Sequence, residues 1–201
     1  MRTLLHEHFH QWETTPVGAY QRAMDLDLHG GDETGMWMLN YPFPYNDSGH
    51  AERAALMAER AAFALQNRSN VSFSADVRAY LDARSAFLHA LSAADARYYE
   101  FQVRKEGVAL WSELALLRAL DDETYADAIK AQEIRLVSSL ENLDLARQQR
   151  VAFYAFGAAE AEMLEQLDPD WKQDYLNGPL ELGAHFATAI NPESSPAASS
   201  D

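Results

Sequence analysis

The sequence predicts a mainly α-helical protein. Apolar residues recur at intervals of three or four positions through most of the 201-residue chain, a spacing that places them on one face of a helix. Runs in which apolar and polar residues alternate, as they do in half-buried strands, are few and short. The steps Thr15-Pro16 and Asp168-Pro169 end two of the periodic segments, because the residue before proline is disfavoured in a helix. We therefore expect helices packed on helices, with a sheet largely absent.

An irregular stretch over residues 18–49 separates the first helix from the others. It contains turn glycines and an aromatic, proline-punctuated run at 37–45, which is typical of loops. The pattern Ser92-x-x-Asp95 resembles a capping box and marks the start of a long helix. Residues 191–201 have the composition of a disordered tail. The predicted helices cover residues 2–14, 50–66, 77–91, 92–120, 122–149 and 150–167, and residues 170–190 are predicted as the last ordered segment.

The composition disfavours several classes of protein. A net charge of −15 disfavours binding to nucleic acid or to anionic lipid, because both attract basic surfaces. The chain contains no cysteine, which excludes disulfides, cysteine-based zinc sites and thiol nucleophiles. No apolar run reaches the length of about 18 residues that a membrane span needs. We expect a soluble protein with no nucleic-acid partner and no membrane span. Its compartment and oligomeric state stay open, and we expect export if a leader precedes this chain in its parent protein.

The strongest chemical signal lies in the first predicted helix. His6 and His10 are four residues apart, so a helix places both imidazoles on one face, where they can bind one metal ion. Glu7 lies about 100° around the helix from His6, where its carboxylate can take a proton from metal-activated water. This H-E-x-x-H pattern predicts a metal site for hydrolysis. His8 points elsewhere and has no part in it.

Two other interpretations of this segment stay open. The histidines could form a polar patch that binds nothing. The pattern Glu7-x-x-His10 also occurs in di-iron carboxylate proteins, but these need a second E-x-x-H on another helix. The sequence does not supply one, since Glu181 and His185 are four residues apart instead of three.

A catalytic zinc site requires a third protein ligand and an open position. Glu13 lies too close along the same helix to complete the set. Glu106 is the candidate, because it precedes Gly107, which lets another backbone or a ligand approach closely. Glu113 falls on the same helical face two turns later, where it can hold a ligand histidine in orientation. The alternative for Glu113 is a solvated position on the helix surface.

These motifs together resemble those of the gluzincin metallopeptidases, the clan that contains the zinc aminopeptidases. The E-G-x-A at 106–109 is similar to the segment that carries the third ligand in that clan. The Y-x-x-G-A that begins at Tyr154 is similar to a helix start whose tyrosine binds the oxyanion. The resemblance implies Zn²⁺ held by His6, His10 and Glu106. It also implies that Glu7 is the base and that Tyr154 stabilises the oxyanion, although Tyr154 could instead be a core residue of an aromatic stretch.

The resemblance covers the catalytic motifs only. Lys105 stands where the clan has asparagine, and the long interval after His10 predicts an insertion at about 11–97. We therefore expect a zincin-like helical catalytic half over 1–190, which is truncated or abbreviated and lacks the upstream sheet that binds peptide in the clan. The implied function is a zinc-dependent peptidase that acts on a peptide or protein substrate. The alternative is a non-catalytic, zincin-derived helical module that binds a partner or is only structural.

Overall fold

A computed structural model describes residues 2–190 of the chain and confirms the mainly α-helical fold. The protein is 74 % helical, and the described residues contain no strand. The predicted tail at 191–201 lies outside them. The α-helices are α1 Arg2–Glu13, α2 Ala19–Met24, α3 Trp37–Asn40, α4 Ser48–Gln66, α5 Phe73–Ala90, α6 Ala93–Gln102, α7 Val108–Ala119, α8 Ala126–Glu141, α9 Leu145–Gln148, α10 Ala152–Leu167 and α11 Gly183–Ile190.

Side-chain caps explain several helix boundaries. Ser92 accepts a hydrogen bond from the backbone N–H of Asp95 at 3.1 Å and begins α6, as the sequence predicts. The single helix predicted over 122–149 is wrong, because the chain breaks between α8 and α9. The Asp144 carboxylate accepts the N–H of Arg147 at 3.0 Å and starts a new helix there. The last predicted ordered segment contains a 3₁₀ turn at Pro169–Gln173 and ends in α11.

The core is centred on α10. All residues from 152 to 164 are buried except Tyr154, which is half-buried. This helix packs against α4, α7, α8 and α11, and α4 packs in turn against α5. Two carboxylates buried in α10 are compensated: Glu160 accepts from Arg84 at 2.7 Å, and Glu162 accepts from Arg118 at 2.8 Å. The segment predicted as an insertion, 11–97, contributes α2 to α5 to this same core.

One π-helical turn, Val103–Gly107, joins α6 to α7 and carries Glu106. It crosses α10 at Gly157, where the two backbones touch. An ideal Cβ built on Gly157 would lie 2.0 Å from the carbonyl oxygen of Val103 and 2.7 Å from the Cα of Gly107. No side chain fits this crossing, so glycine is required at both positions. Single π turns inside α-helices are frequent at functional sites, because they shift side chains out of the regular helical phase.

The part of the chain that the structure describes includes no helix that is both long enough and apolar enough to cross a membrane.

Replacing Gly157 by Ala should lower the free energy of unfolding by about 3 kcal/mol, because the added methyl group forces the π turn and α10 apart. Chemical denaturation measures this change. Gly49→Ala in α4 is the matched control, since a Cβ there meets the flexible Arg53 side chain at 3.0 Å instead of backbone. We expect Gly49→Ala to change the stability by less than about 1 kcal/mol. Equal effects of the two substitutions would contradict the close crossing.

Candidate metal centre

Three predicted ligand residues meet at one place. His6 and His10 project from the same face of α1, and Glu106 reaches them from the π turn. The Nε2 atom of His6 lies 3.2 Å from Glu106 Oε2 and 3.1 Å from His10 Nε2. His10 Nε2 lies 3.5 Å from the same carboxylate oxygen. The structure thus brings together residues that are 100 positions apart in the chain.

The size of this triangle fits a bound metal ion. Nitrogen and oxygen ligands lie about 2.1 Å from Zn²⁺, so two such ligands of a tetrahedral ion are about 3.4 Å apart. The three observed distances, 3.1, 3.2 and 3.5 Å, bracket that value. Within residues 2–190 this is the one group of three histidine or acidic side chains that could hold a metal ion. The group consists of His6, His10 and Glu106, each of which is partly buried.

Glu13 lies beside His10, one turn later on α1. Its Oε2 lies 3.5 Å from Nδ1 of His10, which is an ion-pair distance without the alignment of a hydrogen bond. Glu13 is itself fixed, since it accepts hydrogen bonds from Arg104 and from the Tyr175 hydroxyl, both at 2.8 Å. Carboxylates commonly orient metal-binding histidines by accepting a hydrogen bond from the second ring nitrogen, and Glu13 lies within ion-pair distance of that nitrogen. From the sequence, Glu13 is considered only as a ligand. Its position three residues after His10 places it on the same side of the helix, which could have indicated a contact with that histidine.

Glu113 is buried in α7, so the alternative of a solvated position for it is wrong. It takes part in an interaction within the protein and lines a cavity beside His6. Its role in orienting a ligand histidine stays a prediction.

Glu7 is exposed on α1, next to His6. Its carboxylate forms no hydrogen bond or ion pair with any residue in the described part of the chain. This carboxylate is therefore available to solvent and to a bound ligand, as a general base must be. Its role as the base stays a prediction.

Tyr154 lies at the edge of the centre, at the start of α10. Its ring stacks on that of His6 with 6.2 Å between the ring centroids. Arg150, one turn earlier, donates a hydrogen bond of 2.6 Å to the phenol oxygen. Burial and the negative charge of Glu106 raise the pKa of Tyr154 to about 12, so the phenol stays protonated at neutral pH. Arg150 is not among the residues predicted from the sequence. Its position four residues before Tyr154, one helical turn earlier, could have indicated that the two side chains meet.

Without a metal ion, a proton on His10 balances the charge of Glu106. Burial disfavours the charged form of His10, but the nearby carboxylates of Glu106 and Glu13 outweigh it and raise the pKa of His10 to about 9. Burial likewise opposes ionisation of Glu106, yet hydrogen bonds from His10 and His6 hold the pKa of Glu106 well below its usual range. At neutral pH His10 therefore carries the positive charge that balances Glu106.

A cavity of about 420 Å³ opens beside the centre. His6 and Tyr154 form part of its wall, and the rest comes from α7, α8 and α10. Its volume lies in the range of about 300–1,000 Å³ that is typical of small-molecule sites. The centre thus adjoins a space that can hold part of a ligand.

Comparisons of the chain with protein-family models, with curated proteins and with solved structures found no match. Any assignment of function therefore depends on the chemistry of this centre and its surroundings.

The affinity of the centre for a divalent cation should rise about tenfold per pH unit between pH 7 and pH 8.5, because the cation must displace the proton on His10. Titration with zinc in competition with a chelator of known pH dependence measures this slope. Protonation of His10 also affects the stability of the metal-free protein. Its contribution to the free energy of unfolding is complete below about pH 6.5 and is lost as the pH rises through about 9. A pH-independent affinity would contradict the raised pKa of His10.

Proposed function

We propose that the protein is a zinc-dependent peptidase that hydrolyses bonds in a peptide or protein substrate. The observation that carries this proposal is the convergence of His6, His10 and Glu106 on one point. Two imidazoles and one carboxylate are a donor set of catalytic zinc sites, in which a fourth position stays open for water or substrate. The resemblance of the surrounding motifs to gluzincins supports the same assignment.

The proposed reaction divides its tasks among named side chains. When bound, Zn²⁺ supplies a Lewis acid that polarises a carbonyl group and lowers the pKa of water. Glu7 takes a proton from the attacking water. The oxygen of that water bonds to the carbonyl carbon, and the proton on Glu7 passes to the peptide nitrogen as the C–N bond breaks. The water thus supplies the oxygen of the new carboxyl group and the proton of the new amine, and no other proton donor is needed.

Tyr154 is suited to stabilise the oxyanion of this reaction. Its phenol is protonated at neutral pH and can donate a hydrogen bond to developing negative charge. Arg150 donates to the phenol oxygen, so the phenol proton must point away from Arg150. We assign Arg150 a positioning role, because it acts through Tyr154.

One observation favours the second candidate, a non-catalytic helical module that binds a partner or is only structural. In gluzincins a sheet edge pairs with the peptide substrate, and residues 2–190 contain no strand. Such a module could keep the metal and would not turn over peptides. Peptide turnover by the wild-type chain distinguishes the two candidates.

The protein should bind one zinc ion per chain. Replacing His6 or His10 by Ala removes a ligand, so we expect the zinc affinity to fall by more than the roughly 10–100-fold that loss of an orienting partner causes. Elemental analysis and chelator competition provide the measurement. His8→Ala is the matched control, since His8 is exposed on the same helix and should leave the affinity unchanged. A wild-type chain that holds no zinc after equilibration with the metal ends the proposal.

Glu7→Gln should keep the zinc and lower peptide turnover by at least about 100-fold, because an amide cannot take a proton from water. A fluorogenic peptide library provides the assay. Glu52→Gln on α4 is the control, since it makes the same exchange at an exposed helical position. Turnover that survives Glu7→Gln removes Glu7 from its assigned role. Zinc binding without any turnover in the wild-type chain selects the non-catalytic candidate.

A further inference from the structure

The cavity beside the centre has largely apolar walls. Leu110 and Leu114 of α7, Leu136 of α8 and Ala158 of α10 face it together with Trp111. The indole nitrogen of Trp111 donates to Glu162 at 3.0 Å, so that polar atom is already bonded within the protein. An apolar wall of this size favours a large aliphatic or aromatic side chain over a small or charged one. The cavity meets the centre at His6 and Tyr154, so its occupant lies next to the reacting atoms.

Gln132 gives the cavity a polar group without a partner. It is 8 % exposed, it lines the cavity, and its buried Oε1 has no hydrogen bond within the described residues. A buried amide oxygen without a partner lowers the stability of the fold. A ligand that brings a peptide group into the cavity offsets this cost, because a peptide N–H can donate to the amide oxygen.

Arg135 adds a cation on the same face of α8, one turn after Gln132. It is exposed and lines the cavity, and its guanidinium makes no ion pair or hydrogen bond within residues 2–190. Other arginines of the site are paired, such as Arg104 with Glu13. Glu113, the acid that also lines the cavity, is engaged within the protein. An unpaired guanidinium in a chain of net charge −15 attracts a carboxylate of the ligand.

We infer that this cavity is a specificity subsite for a peptide in which a large apolar residue is joined to a carboxylate, with Gln132 bonded to the peptide group and Arg135 paired with the carboxylate. The inference deepens the proposed function and rests on it, since it names the substrate class of the same site. The carboxylate can come from the C-terminus of the peptide or from the side chain of a following acidic residue. Both sources present the same chemistry to Arg135.

Binding of four defined peptides tests the inference without requiring hydrolysis. The probes are acetyl-Ala-Ala-Leu as the free acid, the same peptide as its amide, acetyl-Ala-Ala-Leu-Glu amide, and acetyl-Ala-Ala-Ala as the free acid. Titration calorimetry on the full chain carrying Glu7→Gln gives their dissociation constants. We expect the leucine acid to bind at least about tenfold more tightly than the alanine acid. It should bind about threefold more tightly than the leucine amide, because the ion pair lies at an exposed rim.

Three variants locate these preferences. Arg135→Gln should abolish the difference between acid and amide and keep the preference for leucine over alanine. Gln132→Met should weaken binding of every leucine probe by roughly fivefold, since it removes one hydrogen bond at similar volume. Lys130→Gln is the matched control, because it removes a cation from the exposed face of α8 outside the cavity and should change no affinity by more than about twofold. Thermal unfolding confirms that each variant is folded.

Each outcome decides a separate point. Tight binding of the Leu-Glu amide assigns the carboxylate to a side chain, and weak binding of that probe assigns it to the C-terminus. Equal affinity for leucine and alanine acids overturns the subsite, as does a preference for the acid that survives Arg135→Gln. Hydrolysis of a peptide library with no preference for large apolar residues overturns the subsite but leaves the peptidase intact. The expected binding pattern in a chain without zinc or turnover overturns the peptidase and leaves the subsite.

Discussion

The candidate metal centre depends on a backbone contact between two glycines, Gly107 at the end of the π turn and Gly157 in α10. An ideal Cβ on Gly107 would lie 2.3 Å from the Cα of Gly157. The π turn and α10 can pack this closely only because neither position carries a side chain. The preceding residue, Glu106, faces α1, and Tyr154 lies one turn before the crossing on α10. The separation of the two backbone segments that carry the carboxylate and the phenol is therefore fixed by their packing. Such rigid placement is what a catalytic group requires, because a displacement of about 1 Å costs much of its effect.

The same π turn also fastens α1 at a second point. Arg104, two residues before Glu106, is buried with Glu13 and Tyr175, and its guanidinium lies 4.0 Å from the centre of the Tyr175 ring. Buried charges are tolerated only when they are paired and hydrogen-bonded, so loss of either partner is expensive. The ion pair anchors the C-terminal end of α1, which leaves its histidines directed at Glu106. A cation that binds the two histidines and Glu106 joins α1 to the turn in the folded state only, and its binding free energy then adds to the stability of the fold.

Patterns in the sequence predict which side chains share one face of a helix. Contacts between residues far apart in the chain are predicted only where motifs connect them. Helical spacing is sufficient to place His6 and His10 on one face of α1, whereas Glu106 is linked to them only by the glycine that follows it and by the resemblance to a known clan. The π turn is invisible to periodicity, since it changes the phase of the helix without a change in composition. The break at Asp144 is missed for a related reason, because the apolar spacing continues across it. Arg150 follows that break, just after Gln149, whose φ of 51° is strained for a residue other than glycine.

A helical site must orient a peptide differently from a site with a sheet. An edge strand offers alternating backbone donors and acceptors, which bind any peptide in an extended form and leave selection to side-chain pockets. In residues 2–190 no strand offers that pairing, and helix backbones are bonded internally. Orientation must then come from side chains that keep unpaired polar groups, and Gln132 and Arg135 are such groups beside this centre. In the proposed peptidase, side chains would recognise a few atoms of the peptide instead of a length of its backbone, and such recognition would favour short substrates over long ones.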